Sequence, residues 1–206
     1  MSIHTFFPTY VYQSALQEKS SSGLNKSLLE ECYQIKDYDI EGQEWSKNAY
    51  IGGYTSYSSM DNLHQFSSTF HNLESLIRPH VQKYLKKLHY DLSIKQLEMT
   101  DCWINIMPAG VTHSQHIHPL SLVSGSYYVQ TPKNSAAIKF EDPRLSRMMA
   151  CPPKKKTCPK KDLNHISISP KAGDLILFES WLGHEVPASH NTKDRVSISF
   201  NYAWSS

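Results

Sequence analysis

From residue 97 onward the chain breaks into short runs rich in Val, Ile, Tyr, Phe and Trp, with turn residues and no helical period between them. The runs are Glu98–Met107, Ser124–Val129, Ala137–Glu141, His165–Ser169, Asp174–Phe178, Gly183–Val186 and Arg195–Trp204. Short β-branched and aromatic runs at this spacing predict strands. With no crossover helices to link them, they must stack as an antiparallel sandwich or barrel. The 142–164 stretch, with Asp142-Pro-Arg, Pro152-Pro and five lysines, breaks the rhythm and reads as a loop inserted between strands.

The first 96 residues follow another period. Leu24, Leu28, Leu29, Cys32 and Ile35 predict a helix over 24–35, and apolar residues recur at three and four from Leu63 to Leu88. Pro79 falls inside the second pattern, so a kink or break is expected near Arg78. Phe6–Tyr12 alternates enough for a short strand, and Gly52-Gly-Tyr-Thr-Ser reads as a turn into an extended segment. The chain is thus expected to be one domain, residues 1–206. A helical support region (1–96) would pack outside a β core (97–206).

Bulk properties exclude several classes. No run approaches the roughly 20 apolar residues of a membrane helix. The start, Met1-Ser-Ile-His-Thr-Phe-Phe-Pro8, lacks a charged region followed by an apolar one, so a soluble cytoplasmic protein is expected. Four irregularly spaced cysteines do not make a disulfide framework. The net charge is +2, and the loop 151–165 holds five lysines against one acid. The rest of the chain is therefore slightly acidic, so nucleic acid is not an expected partner except through that loop, for which a solvated surface insertion is the favoured reading.

Eleven histidines are many, and their placement is uneven. His116 and His118 are one residue apart, so in extended chain their imidazoles share a face and can chelate one metal. His184, at the end of the strand after Lys171-Ala-Gly-Asp174, is the best third ligand. Arg195 follows eleven residues later and shares a face with Ser197. A planar guanidinium beside a hydroxyl is well built to bind a carboxylate. Asn105 and Tyr127 or Tyr128 are expected to face the barrel interior and contact cosubstrate or substrate, or else to be ordinary core. His113 reads as supporting the site or exposed. His4, His64, His71, His80 and His89 read as surface or capping residues.

The order and spacing of these residues resemble the Fe(II)- and 2-oxoglutarate-dependent dioxygenases, and in particular an uncharacterised bacterial and phage subfamily. The segments that carry the likeness are Phe7-Pro-Thr, Gly52-Gly-Tyr-Thr-Ser, Trp103-Ile-Asn, His116-Ile-His-Pro-Leu-Ser-Leu-Val-Ser-Gly-Ser-Tyr-Tyr-Val129, Phe140-Glu-Asp-Pro-Arg144 and Gly173-Asp through Asn201. The resemblance implies a mainly β fold with flanking N-terminal helices, a double-stranded β-helix or jelly roll. It also implies iron ligation by His116 and His184, with Arg195 and Ser197 on the distal carboxylate of 2-oxoglutarate. The reaction implied is C–H hydroxylation with O₂ and conversion of 2-oxoglutarate to succinate. The substrate, a small molecule or a protein side chain, is not specified, and a homodimer is the commonest soluble assembly.

In one respect the chain departs from the family. Most members carry Asp or Glu where His118 stands. Either His118 completes a three-histidine site, or Glu141 or Asp142 supplies a carboxylate. Three neutral imidazoles on Fe(II) leave +2, which a dianionic cosubstrate neutralises, so the three-histidine reading is preferred. Two rivals to the oxygenase are a non-catalytic cupin-like binding module and a three-histidine dioxygenase that needs no 2-oxoglutarate. Cys151, Cys158 and His165 suggest a zinc site only weakly, because their spacing is wrong for one.

Overall fold

The structure, a computed structural model, describes residues 1–16, 21–92 and 96–205. In chain order its elements are β1 (Val11–Ala15), α1 (Ser21–Tyr38), α2 (Ile40–Ala49), β2 (Tyr54–Thr55), α3 (Leu63–Phe66) and α4 (Ser68–Leu88). The β-rich part follows: β3 (Leu97–Met107), β4 (His113–His116), β5 (Val123–Gln130), β6 (Ile138–Glu141), β7 (His165–Ile168), β8 (Asp174–Glu179), β9 (His184–Val186) and β10 (Arg195–Trp204). They form a six-stranded sheet, β1-β8-β5-β10-β3-β2, and a four-stranded sheet, β4-β9-β6-β7. Every ladder is antiparallel. This is the antiparallel sandwich expected from the strand pattern, in the jelly-roll form that the resemblance implies.

Two-residue alternation gives the larger sheet two different faces. Its outer face carries Ile104, Tyr127, Ile198 and Phe200, which pack with Leu28 of α1 and Phe70, Ile77 and Tyr84 of α4. Its inner face sends Tyr128, Ile176 and Phe178 against Ile138 and Phe140 of the smaller sheet. Beside Trp103 and Met107, the rest of the inner face around β3, β5 and β10 is largely polar. Register sets Ser197 opposite both Asn105 and Tyr128, and Asn201 opposite both Asp101 and Ser124. Buried polar residues in a row between two sheets mark the site.

All seven expected strands are present, and residues 142–164 form a loop with two short 3₁₀ turns. The N-terminal half departs from expectation in three places. The first strand starts at Val11, not Phe6. Pro8 offers no backbone donor to a ladder, and Phe6 and Phe7 are exposed. The long helical pattern breaks at Ser67, not near Arg78. Ser67 is extended, and its hydroxyl accepts from the amides of Thr69 and Phe70, which starts α4. α4 then runs through Pro79. A mid-helix proline costs about 3 kcal/mol, and burial of one large apolar side chain returns roughly 1.5–3 kcal/mol. The buried stripe Phe70, Leu73, Ile77, Val81, Tyr84 and Leu85 outweighs it. Third, α2 has no counterpart in the apolar pattern. It is fixed by Asp39, which accepts from the Gly42 amide, the Tyr54 hydroxyl and the Ser59 hydroxyl at 3.0, 2.7 and 2.6 Å.

Among the outlying histidines, His89 caps α4 in the left-handed conformation. His80 bonds the Tyr12 hydroxyl at 2.7 Å. His64 is not a surface residue: it is buried, with Nδ1 unpartnered. No helix among the described residues is long and apolar enough to cross a membrane.

Candidate metal centre

β4 and β9 are neighbours in the smaller sheet, and their register sets His116 directly opposite His184. His118 lies two residues beyond His116, past the end of β4, where its amide bonds the Ser180 carbonyl at 2.9 Å. Alternation therefore turns all three rings into one space. The ring centroids of His116 and His184 are 4.3 Å apart, and that of His118 lies 5.1 and 5.2 Å from them. One nitrogen of each falls within 4.8 Å of the other two.

Hydrogen bonds decide which nitrogen that is. Nδ1 of His116 contacts the Ser114 carbonyl at 2.7 Å, and Nδ1 of His184 the Leu182 carbonyl at 2.9 Å. A carbonyl only accepts, so both Nδ1 atoms carry the proton and both Nε2 lone pairs are free. His118 Nδ1 contacts Asn201 Oδ1 at 2.7 Å. Its Nε2 is buried without a partner, which is costly unless something binds there. Burial also lowers the pKa of all four clustered histidines. His113 and His184 fall to about 3 and His118 to about 4, with their neighbours adding to the shift. His116 is lowered too, the Ser114 carbonyl partly opposing. Three neutral imidazoles with converging lone pairs fit a divalent transition metal such as Fe(II).

The second half of the site is Arg195. It is 3% exposed, and no carboxylate pairs with it among the described residues. Its Nη1 meets only the Met107 thioether at 3.2 Å and the Ser197 hydroxyl at 3.3 Å, and its Nε has no partner. The guanidinium lies 4.9 Å over the Tyr128 ring. The Tyr50 and Tyr128 hydroxyls and Asn105 Oδ1 are also buried and unpartnered. Burial raises both tyrosine pKa values, so both phenols stay protonated and can donate. Of the seven unpartnered buried side-chain polar atoms among the described residues, five belong to this region: Tyr50, Asn105, His118, Tyr128 and Arg195.

The structure thus brings together His116, His118, His184, Arg195, Ser197 and Asn105. It does not bring in Tyr127, whose side chain points to the outer face and bonds Asn25. Tyr128 takes that place, as alternation from Ser197 dictates. Glu141 pairs with His165 at 3.5 Å, and Asp142 forks onto Arg144 at 2.9 and 2.7 Å, so neither joins the histidines. Cys151, Cys158 and His165 form no candidate metal group among the described residues. Sequence reasoning missed Tyr50 and Asn201. Asn201 could have been found, because it continues the Arg195, Ser197, Ser199 alternation.

Two cavities meet at the histidines. The one toward Arg195 is tight, about 30 Å³, and is lined by Asn105, Met107, Ser197 and the histidines. The other holds about 510 Å³ and opens between α2 and the β3–β4 region. Trp103, His113, His116 and His118 line both. A larger open groove, about 990 Å³, runs between α3, α4 and β3 and contains none of these histidines.

The family described as "Putative 2OG-Fe(II) oxygenase" matches residues 101–201. No curated protein matches the chain by sequence. Among solved structures, a Pseudomonas putida prolyl-4-hydroxylase is similar over 96% of this chain and 94% of its own, at 14% identity and a TM-score of 0.64. The epimerase SnoN from nogalamycin biosynthesis, in complex with Fe³⁺, alpha ketoglutarate and nogalamycin RO, is similar over 95% of this chain and 79% of its own. Its identity is 14% and its TM-score 0.65. A viral collagen prolyl hydroxylase from Paramecium Bursaria Chlorella virus-1 covers 94% of each chain at 12% identity and a TM-score of 0.56. At these identities the likeness is one of fold.

Proposed function

From the match of residues 101–201 to the "Putative 2OG-Fe(II) oxygenase" family, we propose that the chain is such an oxygenase and hydroxylates a C–H bond of its substrate. O₂ is consumed, and 2-oxoglutarate leaves as succinate and CO₂. His116, His118 and His184 hold Fe(II) through Nε2. Arg195, with Ser197 and Tyr128, takes the distal carboxylate of 2-oxoglutarate. Iron with its cosubstrate supplies the oxidising power when bound, and the protein supplies position and electrostatics.

The observation that carries this reading is the unpaired guanidinium. A buried charge without a counter-ion costs several kcal/mol. A thioether and a hydroxyl are poor compensation for it, and a carboxylate is the matching planar acceptor. The other donors here, the Ser197 and Tyr128 hydroxyls, point to the same anion. About 30 Å³ is roughly one water, so cosubstrate entry requires side chains of this lining to shift. A cupin-like binding module or a 2-oxoglutarate-independent dioxygenase has no use for a carboxylate anchor here.

The test is anaerobic. Adding Fe(II) and then 2-oxoglutarate is expected to produce a weak visible charge-transfer band, absent in His184→Ala. Arg195→Ala is expected to weaken 2-oxoglutarate binding by at least tenfold while leaving Fe(II) binding in place. Absence of both the band and calorimetric 2-oxoglutarate binding in the wild-type protein overturns the reading.

A further inference from the structure

The 510 Å³ cavity lies across the histidines from Arg195, and its lining contains no Lys, Arg, Asp or Glu. We propose that it binds an uncharged small molecule carrying a flat or ring-shaped apolar group, stacked among Trp45, Tyr57 and Trp103. The inference rests on the oxygenase reading only in taking this cavity, rather than the Arg195 side, as the substrate's.

Four observations carry it. The first is the rings themselves. Tyr57 and Trp103 pack edge to face at 5.1 Å, and Trp103 lies 5.8 Å from the His118 ring. These rings run as a track from the surface to a metal-site histidine, so a group stacked on them sits beside the reacting centre. The second is exposure. Trp45 is 40% exposed and Tyr57 50%, with Ile51 and Ile117 also open at the same cavity. Exposed apolar groups gathered around one concavity mark a binding surface.

The third is charge. A carboxylate, phosphate or ammonium placed here would find no charged side chain in the lining to pair with, the metal's charge being matched by its dianionic cosubstrate, and would forfeit its hydration. The five lysines of the 151–165 loop contribute nothing to the lining, so that loop does not make the substrate anionic. Asn48, Thr55, Thr112 and Ser114 provide neutral hydrogen-bonding groups instead. The fourth is rigidity and size. The wall bearing Trp45 is α2, pinned by Asp39 to Tyr54 and Ser59. The volume also matches the range of a small-molecule pocket, about 300–1,000 Å³.

The test uses matched probes and saturation-transfer NMR on protein incubated with Zn(II) and 2-oxoglutarate. Indole-3-acetamide is expected to bind at least tenfold more tightly than indole-3-acetate or tryptamine. Trp45→Ala and Tyr57→Ala are each expected to weaken the amide by about tenfold. Trp181→Ala, an exposed tryptophan outside the lining, leaves it unchanged. Both tested side chains are half-exposed, and thermal melts of each variant report on folding. Equal or tighter binding of the carboxylate or the amine overturns the proposal, and so does amide binding indifferent to both lining variants. A peptide that binds while the amide does not overturns it in favour of a polypeptide substrate. Amide binding that depends on Trp45 and Tyr57 upholds the proposal even where 2-oxoglutarate fails to bind, a result that counts against the oxygenase reading alone.

Discussion

His118 donates from Nδ1 to Asn201 Oδ1 at 2.7 Å, and Asn201 donates from Nδ2 to Asp101 at 3.2 Å. Ser124 donates to the same Asn201 oxygen at 2.8 Å. A carboxylate accepts only, so Asp101 fixes which end of the Asn201 amide faces His118. The other two histidines are held by backbone carbonyls, whereas His118 is held by a side chain that mutation can remove. Loss of such an outer partner typically costs 10–100-fold in metal affinity. Asn201→Ala is therefore expected to weaken Co(II) binding about tenfold or more, measured by competition with a chromophoric chelator, with Asn201→Asp restoring part of it. Unchanged affinity in Asn201→Ala would refute the positioning role.

The three rings are not equivalent in what their removal leaves. His116 and His184 face each other across a ladder, so His116→Ala or His184→Ala is expected to abolish tight Fe(II) binding. His118→Asp keeps a ligand at the third position but adds a negative charge. Fe(II) with 2-oxoglutarate then ends at −1 in place of zero in a buried site. That variant is expected to bind metal yet bind 2-oxoglutarate more weakly than wild type, by isothermal titration. Succinate production at the wild-type rate in His184→Ala would sink the metal assignment.

These features differ in how far the sequence exposes them. The strands of the β half were legible because each is a short run of β-branched and aromatic residues, and alternation alone put Arg195 with Ser197 and His116 with His118. Proximity in sequence also limited the His184 question, since β9 precedes β10 by a short turn. What alternation could not decide is which parity faces inward in β5, where Tyr127 and Tyr128 are adjacent and equally buried. Only pairing with Ser197 settles it. α2 escaped notice because its anchor is a polar one, Asp39, and its apolar face is thin. Tyr50 escaped with it, so one wall of the site had no sequence signal.

Acid should unfold the metal-free protein earlier than carboxylates alone predict. His113 and His184 titrate near 3 and His118 near 4 in the folded state, against about 6.5 when unfolded. Between those limits the unfolded chain binds more protons, so stability rises with pH and is complete only above about 6.5. Melting temperature is expected to fall steadily as pH drops from about 6.5 toward 4. A variant with His113 and His118 replaced by Gln should show a flatter slope. Identical slopes for both proteins would show that these histidines do not drive it.

Gly125 offers a link between packing and the site. A Cβ there would lie 2.5 Å from the Phe200 ring and 2.8 Å from the Ile176 carbonyl oxygen. The backbone oxygen cannot retreat without disturbing the β5–β8 ladder, and overpacking of this kind costs about 1–3 kcal/mol. Gly125→Ala is expected to lower the melting temperature by roughly 2–10 °C. Gly23→Ala in α1, where nothing lies within 4 Å, should raise it slightly. The β5 shift also moves Ser124, whose hydroxyl bonds Asn201. Co(II) affinity should therefore fall in Gly125→Ala but not in Gly23→Ala, although neither glycine touches a histidine. Equal metal affinity in the two variants would separate the packing of the outer face from the geometry of the inner one.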